Sequence, residues 1–385
     1  MNTHKALVRK FNGDLEYCLV ERPSTDDAMV LVALHMVGVC GTDLQILRGL
    51  RRDPTTIIGH EAVGKIVEVG KDVTGFRLGD KVTFNPTNPV NQDRILGHNM
   101  LGVFQEYLLI NHSDIEQGML EKIDEDLPDY LGALIEPLAS VIYAHELLTQ
   151  VSPIGSAAIF GAGIIGLLHA LHLKISGTCR TFLIHPDRGR LEWAVGRGCI
   201  DPDLAILSET NIVYQILEKT GGQGVDAAFV CTPRNASLEA LDMAIRLVKP
   251  GGCIDLFGGF EPKVELPELP DVDLSEIRRT NSCGRPYPGR ITQVETRSGY
   301  RLMLTGHRGV SKKHLHQSIT CLRHATQWYG QLITHVVSLQ AAASLLNQFR
   351  RNPIRRIHGE EWVKLAIDCR RDGFSVETLD TASLR

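Results

Sequence analysis

The stretch Ala157-Ala158-Ile159-Phe160-Gly161-Ala162-Gly163-Ile164-Ile165-Gly166 joins a short apolar run to a glycine-rich turn. The first four residues read as a buried strand. Apolar residues then recur at helical intervals through Leu173. The last six residues quoted follow the spacing G-x-G-x-x-G. Alone that spacing is weak, and a glycine turn in a nucleotide-free α/β domain is the plain alternative. Between a strand and a helix it reads as a dinucleotide-binding turn. A helix N-terminus offers free amides and a positive dipole end to a pyrophosphate. Gly161, Gly163, Ile164, Ile165 and Gly166 are the expected contacts.

The pattern on either side of this turn extends the reading. Downstream of Ser152-Pro153, strand-like runs at 181–184, 225–230 and 253–257 alternate with helical periods at 190–197 and 237–248. Such alternation implies a parallel sheet covered by helices. Residues 301–304 are expected to be its last strand. Upstream, the first 110 residues are mostly short strands with glycine and proline breaks. The C-terminal part has helical stretches near 311–323 and 340–350 and an apolar strand at 362–367. The expected fold class is α/β. A β-rich domain of residues 1–150 and 307–385 flanks a doubly wound domain of residues 151–306.

Composition fits this plan. A chain of 385 residues is long enough for two domains, and 43% hydrophobic with 22% charged residues is ordinary for a soluble protein. A net charge of −4 argues against a nucleic-acid partner. No membrane span is expected, because the most apolar stretch, 157–173, is broken by three glycines and two histidines. The N-terminus lacks the apolar core of a secretory signal. Nine cysteines, widely spaced and without C-x-x-C, suggest reduced thiols and a cytoplasmic location.

A second constellation carries the chemistry. Gly59-His60-Glu61-Ala62-Val63-Gly64 places two potential metal ligands in a glycine-rich frame. Cys40 lies upstream in Gly38-Val39-Cys40-Gly41-Thr42-Asp43, and Glu136 downstream in Glu136-Pro137. Singly each is unremarkable: a lone cysteine is usually a small buried hydrophobe. Together they suggest a catalytic zinc site, which takes three protein ligands and leaves one position open. Cys40, His60 and Glu136 are the expected ligands, with Glu61 a fourth or alternate. Asp43 is the expected partner orienting His60. Thr42 is suited to relay the substrate proton.

The expected strand at 181–184 runs on to Ile184-His185-Pro186-Asp187-Arg188. An acid there binds the ribose 2′-hydroxyl in NAD enzymes. His185 takes the acid's place, and Arg188 or Arg190 is within reach of a 2′-phosphate. This favours NADP, while Asp187 keeps contact with an unphosphorylated ribose open.

These motifs resemble those of the zinc-dependent medium-chain dehydrogenase/reductase superfamily. The resemblance spans nearly the whole chain. It includes G-H-E-x2-G-x5-G-x2-V from Gly59 to Val73, Phe104-x-Glu106-Tyr107, Lys249-Pro250-Gly251-Gly252 and Leu332-Ile333-Thr334-His335. It implies a GroES-like catalytic domain, a Rossmann domain and an active site in the cleft between them. It also implies homodimers or homotetramers formed through the Rossmann sheet. Glu136 as third ligand is similar to the sorbitol and threonine dehydrogenase branch.

Three departures stand out. Residues 85–104 are short and cysteine-free where relatives often carry a structural-zinc lobe, so one catalytic zinc and no structural zinc is expected. Gln45 stands where relatives often have a proton-relay histidine. Residues 280–299 look like an insertion, and Pro286, Pro288 and three glycines argue for a loop. It sits in a basic run, 278–313, with nine Arg and Lys against one acid, Glu295. That run is either a solvated surface or an anion site. The resemblance places Arg308 and Gln45 near the substrate. His314, His316 and His324 read as surface or helix residues, and His169 and His172 as structural.

The expected activity is zinc-dependent hydride transfer between NAD(P) and the secondary alcohol or ketone of a small molecule. A polyol, sugar or cyclitol is expected, with or without phosphate or amino groups. The alternatives are a zinc-free NADPH-dependent alkene or quinone reductase and a non-catalytic nucleotide-binding protein.

Overall fold

The strand Ser156–Phe160 is buried on both faces, as its run of Ala, Ala, Ile and Phe requires. In the computed structural model, which describes residues 2–177, 179–209 and 211–379, it lies inside a seven-stranded sheet. Arg180–His185 and Ala205–Leu207 extend the sheet on one side. Val225–Val230, Val248–Asp255 and Arg301–Thr305 extend it on the other, all parallel. The order reverses direction at Ser156–Phe160, the switch point where doubly wound sheets bind ligands outside their strand ends. This sheet and its helices form one compact unit, Ser140–Gly309. Its core packs Phe160, Phe182, Ile184, Val230, Ile254 and Leu304 beneath Leu241, Ala244 and Ile245 of the helix Ser237–Leu247.

The other compact unit comprises Met1–Ala139 and Val310–Arg385. Residues 380–385 of the expected catalytic domain lie outside the described residues. An eight-stranded sheet dominates this unit. Met29–Gly38 is central in it and pairs antiparallel with Glu61–Val69, Tyr107–Asn111 and Lys364–Asp368. Gly38 pairs with Glu61, and Ala366 with Gly38, so two strand ends meet beside the middle of a third strand. The chain is thus α/β, a GroES-like β-rich part with a doubly wound Rossmann part.

Three sequence expectations need correction. Residues 280–299 are not all loop: Thr292–Glu295 is a strand lying antiparallel on Arg301–Thr305. Arg301–Thr305 is therefore not the sheet's edge. The hairpin closes through Thr296, whose amide donates to Tyr300, and Val294 points into the core. His314, expected to be a surface or helix residue, is a helix residue. It is 1% exposed, and its Nδ1 faces the Ser311 hydroxyl at 3.0 Å at the start of the helix Lys312–His324. A bilayer-length apolar helix does exist, Asp129–Thr149, but 89% of its apolar window is buried inside the protein, as a core helix requires. Arg190 is 5% exposed and so is not a freely reaching cation, whereas Arg188 is exposed.

Candidate active site

Cys40 follows the strand Met29–Gly38, and His60 immediately precedes the strand Glu61–Val69. Because Gly38 pairs with Glu61, the two segments leave the sheet side by side. Ligand atoms of Cys40, His60 and Glu61 all lie within 4.8 Å of one another. It is the one group of three or more potential metal ligands among the described residues. Cys40 is half-buried, while His60 and Glu61 are buried. Glu136, on the helix Gly132–Thr149 of which its neighbours Leu134, Ile135 and Leu138 are wholly buried, is not one of the three.

Asp43 ties the cluster together. Its carboxylate is fully buried. It accepts the Cys40 amide at 2.9 Å and the Gly59 amide at 3.2 Å, so one side chain fixes both ligand-bearing segments. His60 Nδ1 lies 3.6 Å from Asp43, within ion-pair range but beyond a hydrogen bond. Burial pushes the Asp43 carboxyl up, but the His60 charge and the Cys40 amide outweigh it and the net direction is down. For His60, burial pushes down, and the Asp43 and Cys40 charges outweigh it to raise the imidazole well above its ordinary value. Thr42 and Gln45, both half-buried, sit on the following helix, Gly41–Leu47.

Sequence reasoning missed Lys364. It begins the strand Lys364–Asp368, is 1% exposed, and pairs with Glu61. Its ammonium also donates to the Val39 carbonyl at 3.0 Å. A charge in the apolar run from Trp362 to Ile367 was the available signal, since buried lysines are rare unless paired. The pair leaves Glu61 Oε1 buried and without a hydrogen bond. His60 Nδ1 is likewise buried and unsatisfied. A thiol, an imidazole and a carboxylate with two orphaned buried polar atoms fit a divalent zinc ion by donor chemistry.

In the unit Ser140–Gly309, the glycine turn occupies the switch point. Gly161 has φ +109°, and Gly163 caps the helix Ile164–Ser176, whose first residues are Ile164, Ile165 and Gly166. His185 ends the neighbouring strand, and its Nδ1 accepts the Ala162 amide at 3.1 Å. Asp187 caps the helix Arg188–Gly196 by accepting the Arg190 amide at 3.1 Å. Arg308 lies on the short strand His307–Arg308, paired with Asn281–Ser282. The basic run around it is not one open patch: Arg301 pairs with Glu295 at 3.0 Å, and Lys312 with Glu121 at 2.8 Å.

Comparison with known proteins agrees with this geometry. Residues 26–121 match the alcohol dehydrogenase GroES-like domain. The (R,R)-butanediol dehydrogenase of Bacillus subtilis is 30% identical over 239 residues, covering 55% of this chain and 66% of that protein. The L-threonine 3-dehydrogenase of Pyrococcus furiosus is 28% identical over 64% of this chain and 73% of that protein. Among solved structures, an alcohol dehydrogenase of Thermotoga maritima superposes with a TM-score of 0.73 over 95% of this chain and 99% of that one, at 20% identity. The chain belongs to the zinc-dependent medium-chain dehydrogenase/reductase superfamily, as an NAD(P)-dependent dehydrogenase of the alcohol dehydrogenase type.

Proposed function

We propose that this enzyme oxidises a secondary alcohol of a polyol, sugar or cyclitol, or reduces the matching ketone, using one catalytic zinc. The observation that supports it is the convergence of Cys40, His60 and Glu61 within 4.8 Å. Cys40 and His60 hold the ion, with Glu61 or Glu136 as the carboxylate ligand. When bound, zinc supplies Lewis acidity at the substrate oxygen, and the nicotinamide supplies the hydride exchange. Asp43 keeps Cys40 and His60 in register. Lys364 holds Glu61, so an exchange of ligand carboxylates requires this ion pair to loosen. The Thr42 hydroxyl, two residues from Cys40, takes the substrate's hydroxyl proton and hands it on. Gln45 cannot continue that path as a histidine would, because an amide does not titrate.

For the nucleotide, the amides of Ile164, Ile165 and Gly166 receive the pyrophosphate at the start of their helix. His185 in place of an acid, with Arg188 exposed beside it, favours a 2′-phosphate and hence NADP.

Purified protein should carry about one zinc per chain, as a single catalytic site requires. Cys40→Ser should lose the metal and reduce turnover by roughly 1,000-fold or more, the scale of removing a group that stabilises developing charge. Elemental analysis and NAD(P)H absorbance check both. Retained zinc with full activity in the variant would refute the ligand assignment. Zinc-free protein that reduces activated alkenes with NADPH would favour the zinc-free reductase instead.

A further inference from the structure

The segment 85–104 forms a tight turn over the ligand cluster. Gly97 has φ +72°, and a Cβ there would meet the Gly59 carbonyl oxygen at 2.4 Å. The turn is therefore stacked directly on the residue preceding His60. Backbone bonds run from Thr55 to the His98 carbonyl (3.0 Å) and from Val103 to the Gly59 carbonyl (3.0 Å), closing the contact. As a result the His98 ring lies 5.6 Å from the His60 ring, centroid to centroid.

His98 is held in one orientation. Its Nδ1 lies 2.9 Å from Asp53 Oδ1. Asp53 in turn pairs with Arg51 at 3.1 Å, and the Asp53 carbonyl accepts from Arg9. Arg51 Nη2 also approaches His98 Nδ1, at 3.2 Å. Nδ1 cannot both donate to Asp53 and accept from Arg51, so the nearer carboxylate decides the tautomer. Burial pushes the Asp53 carboxyl up, but the hydrogen bonds from His98 and Arg51 outweigh it and hold it at about 2. Asp53 is thus a permanent acceptor, Nδ1 carries the proton, and Nε2 is left as an acceptor. The side chain is 11% exposed, so its ring is walled in but not sealed.

We infer that His98 is a specificity-determining residue, whose Nε2 accepts a hydrogen bond from a donor on the substrate carbon next to the reacting carbinol. This rests on the dehydrogenase reading above and narrows its substrate class to vicinal diols, polyols and amino alcohols. A vicinal diol sets its second oxygen one carbon away from the first. With the reacting oxygen at the Cys40–His60–Glu61 cluster, that second hydroxyl reaches to about one ring beyond His60, where His98 stands. A site built around an acceptor discriminates strongly against analogues lacking the donor, because its own polar atom is then left unpaired.

The test compares zinc-loaded wild type with His98→Ala and His98→Gln on two matched pairs. These are butane-2,3-diol with butan-2-ol, and myo-inositol with cyclohexanol; 3-aminobutan-2-ol separates an ammonium donor from a hydroxyl. His98→Ala should raise KM for the vicinal substrates and lower their kcat/KM by about 10- to 100-fold, as loss of one buried hydrogen bond predicts. Monoalcohols should change by less than about threefold. His98→Gln, which keeps an acceptor, should recover part of the loss. Calorimetry of diol binding should weaken in parallel, and zinc content should stay constant. Equal losses on diols and monoalcohols, or no loss on either, would overturn the role of His98 alone. Wild type that is inactive with every alcohol would overturn the dehydrogenase reading and this role with it.

Discussion

At the scale of single residues, the site is held by charges removed from water. Lys364 and Glu61 are 1% exposed each and face one another. A buried ion pair is weak evidence for net stability, because desolvation offsets the attraction. Breaking one partner is a different matter, since it strands the other charge. Lys364→Met should therefore destabilise the unit Met1–Ala139 with Val310–Arg385 by about 3–5 kcal/mol. The double change Lys364→Met with Glu61→Gln should recover most of that loss. Urea denaturation of the three proteins measures it, and a single variant as stable as wild type would remove the pair from this role. Asp43 follows the same logic through hydrogen bonds: it is wholly buried, yet each oxygen faces a backbone amide. The sequence exposed these roles unevenly. Cys40, His60 and Asp43 were legible because short motifs carry them. Lys364 was not, because its partner is 303 residues away and only the sheet register brings them together.

At the scale of elements, strand ends and turns do the positioning. The antiparallel pairing of Met29–Gly38 with Glu61–Val69 sets Cys40 beside His60, and the Gly97 turn sets His98 against them. Gly97→Ala meets two obstacles there, a positive φ and the Gly59 carbonyl at 2.4 Å. Strained backbone of this kind costs roughly 1–3 kcal/mol. The variant should melt earlier, and its near-UV signal should change if the turn lifts off Gly59. An unchanged melting midpoint would show that the turn can move without cost. Periodicity made the parallel strands legible because each is a continuous apolar run. It failed for Thr292–Glu295, where Pro286 and Pro288 just upstream read as loop and only Val294 faces inward. That strand shields Arg301–Thr305, so the outermost strand of the sheet is one that the basic insertion supplies.

At the scale of the whole molecule, two units with separate cores should respond differently to pH. The unit Ser140–Gly309 clusters three histidines, His145 and His169 buried and His172 half-buried. His145 Nε2 lies 2.8 Å from His169 Nδ1, and the His172 ring stands edge-on to His145 at 4.9 Å. Phe229 stacks on His145 and packs against His169. Burial, reinforced by the neighbouring histidines, pushes His145 and His169 well below their ordinary 6.5, and burial alone lowers His172. Asp255 runs the other way. Its carboxylate is wholly buried and both oxygens lack hydrogen bonds. Burial pushes it up to about 7, against the opposing charge of Arg278. Stability rises with pH wherever the unfolded chain binds more protons. Below 6.5 the unfolded histidines take up protons that the folded ones refuse, so stability is lost as the medium becomes more acidic. Between 3.8 and about 7 the folded Asp255 keeps a proton that the unfolded one has released, so its contribution falls as pH rises. Three histidines outweigh one aspartate at about pH 5, where each uncompensated proton is worth about 1.4 kcal/mol per pH unit. Above about pH 7 the unfolded histidines and the folded Asp255 have both largely released their protons, and the two contributions nearly cancel. Stability of this unit should therefore fall steeply from neutrality toward pH 5 and change little above about pH 7, once Asp255 has ionised. Asp255→Asn should make the acid side steeper, because it removes the opposing contribution, and His169→Leu should make it shallower. Calorimetric scans between about pH 5 and pH 8 resolve the two slopes, because loss of carboxylate ion pairs is confined to more acidic solution. If His169→Leu leaves the acid slope unchanged, the buried histidines are not its source.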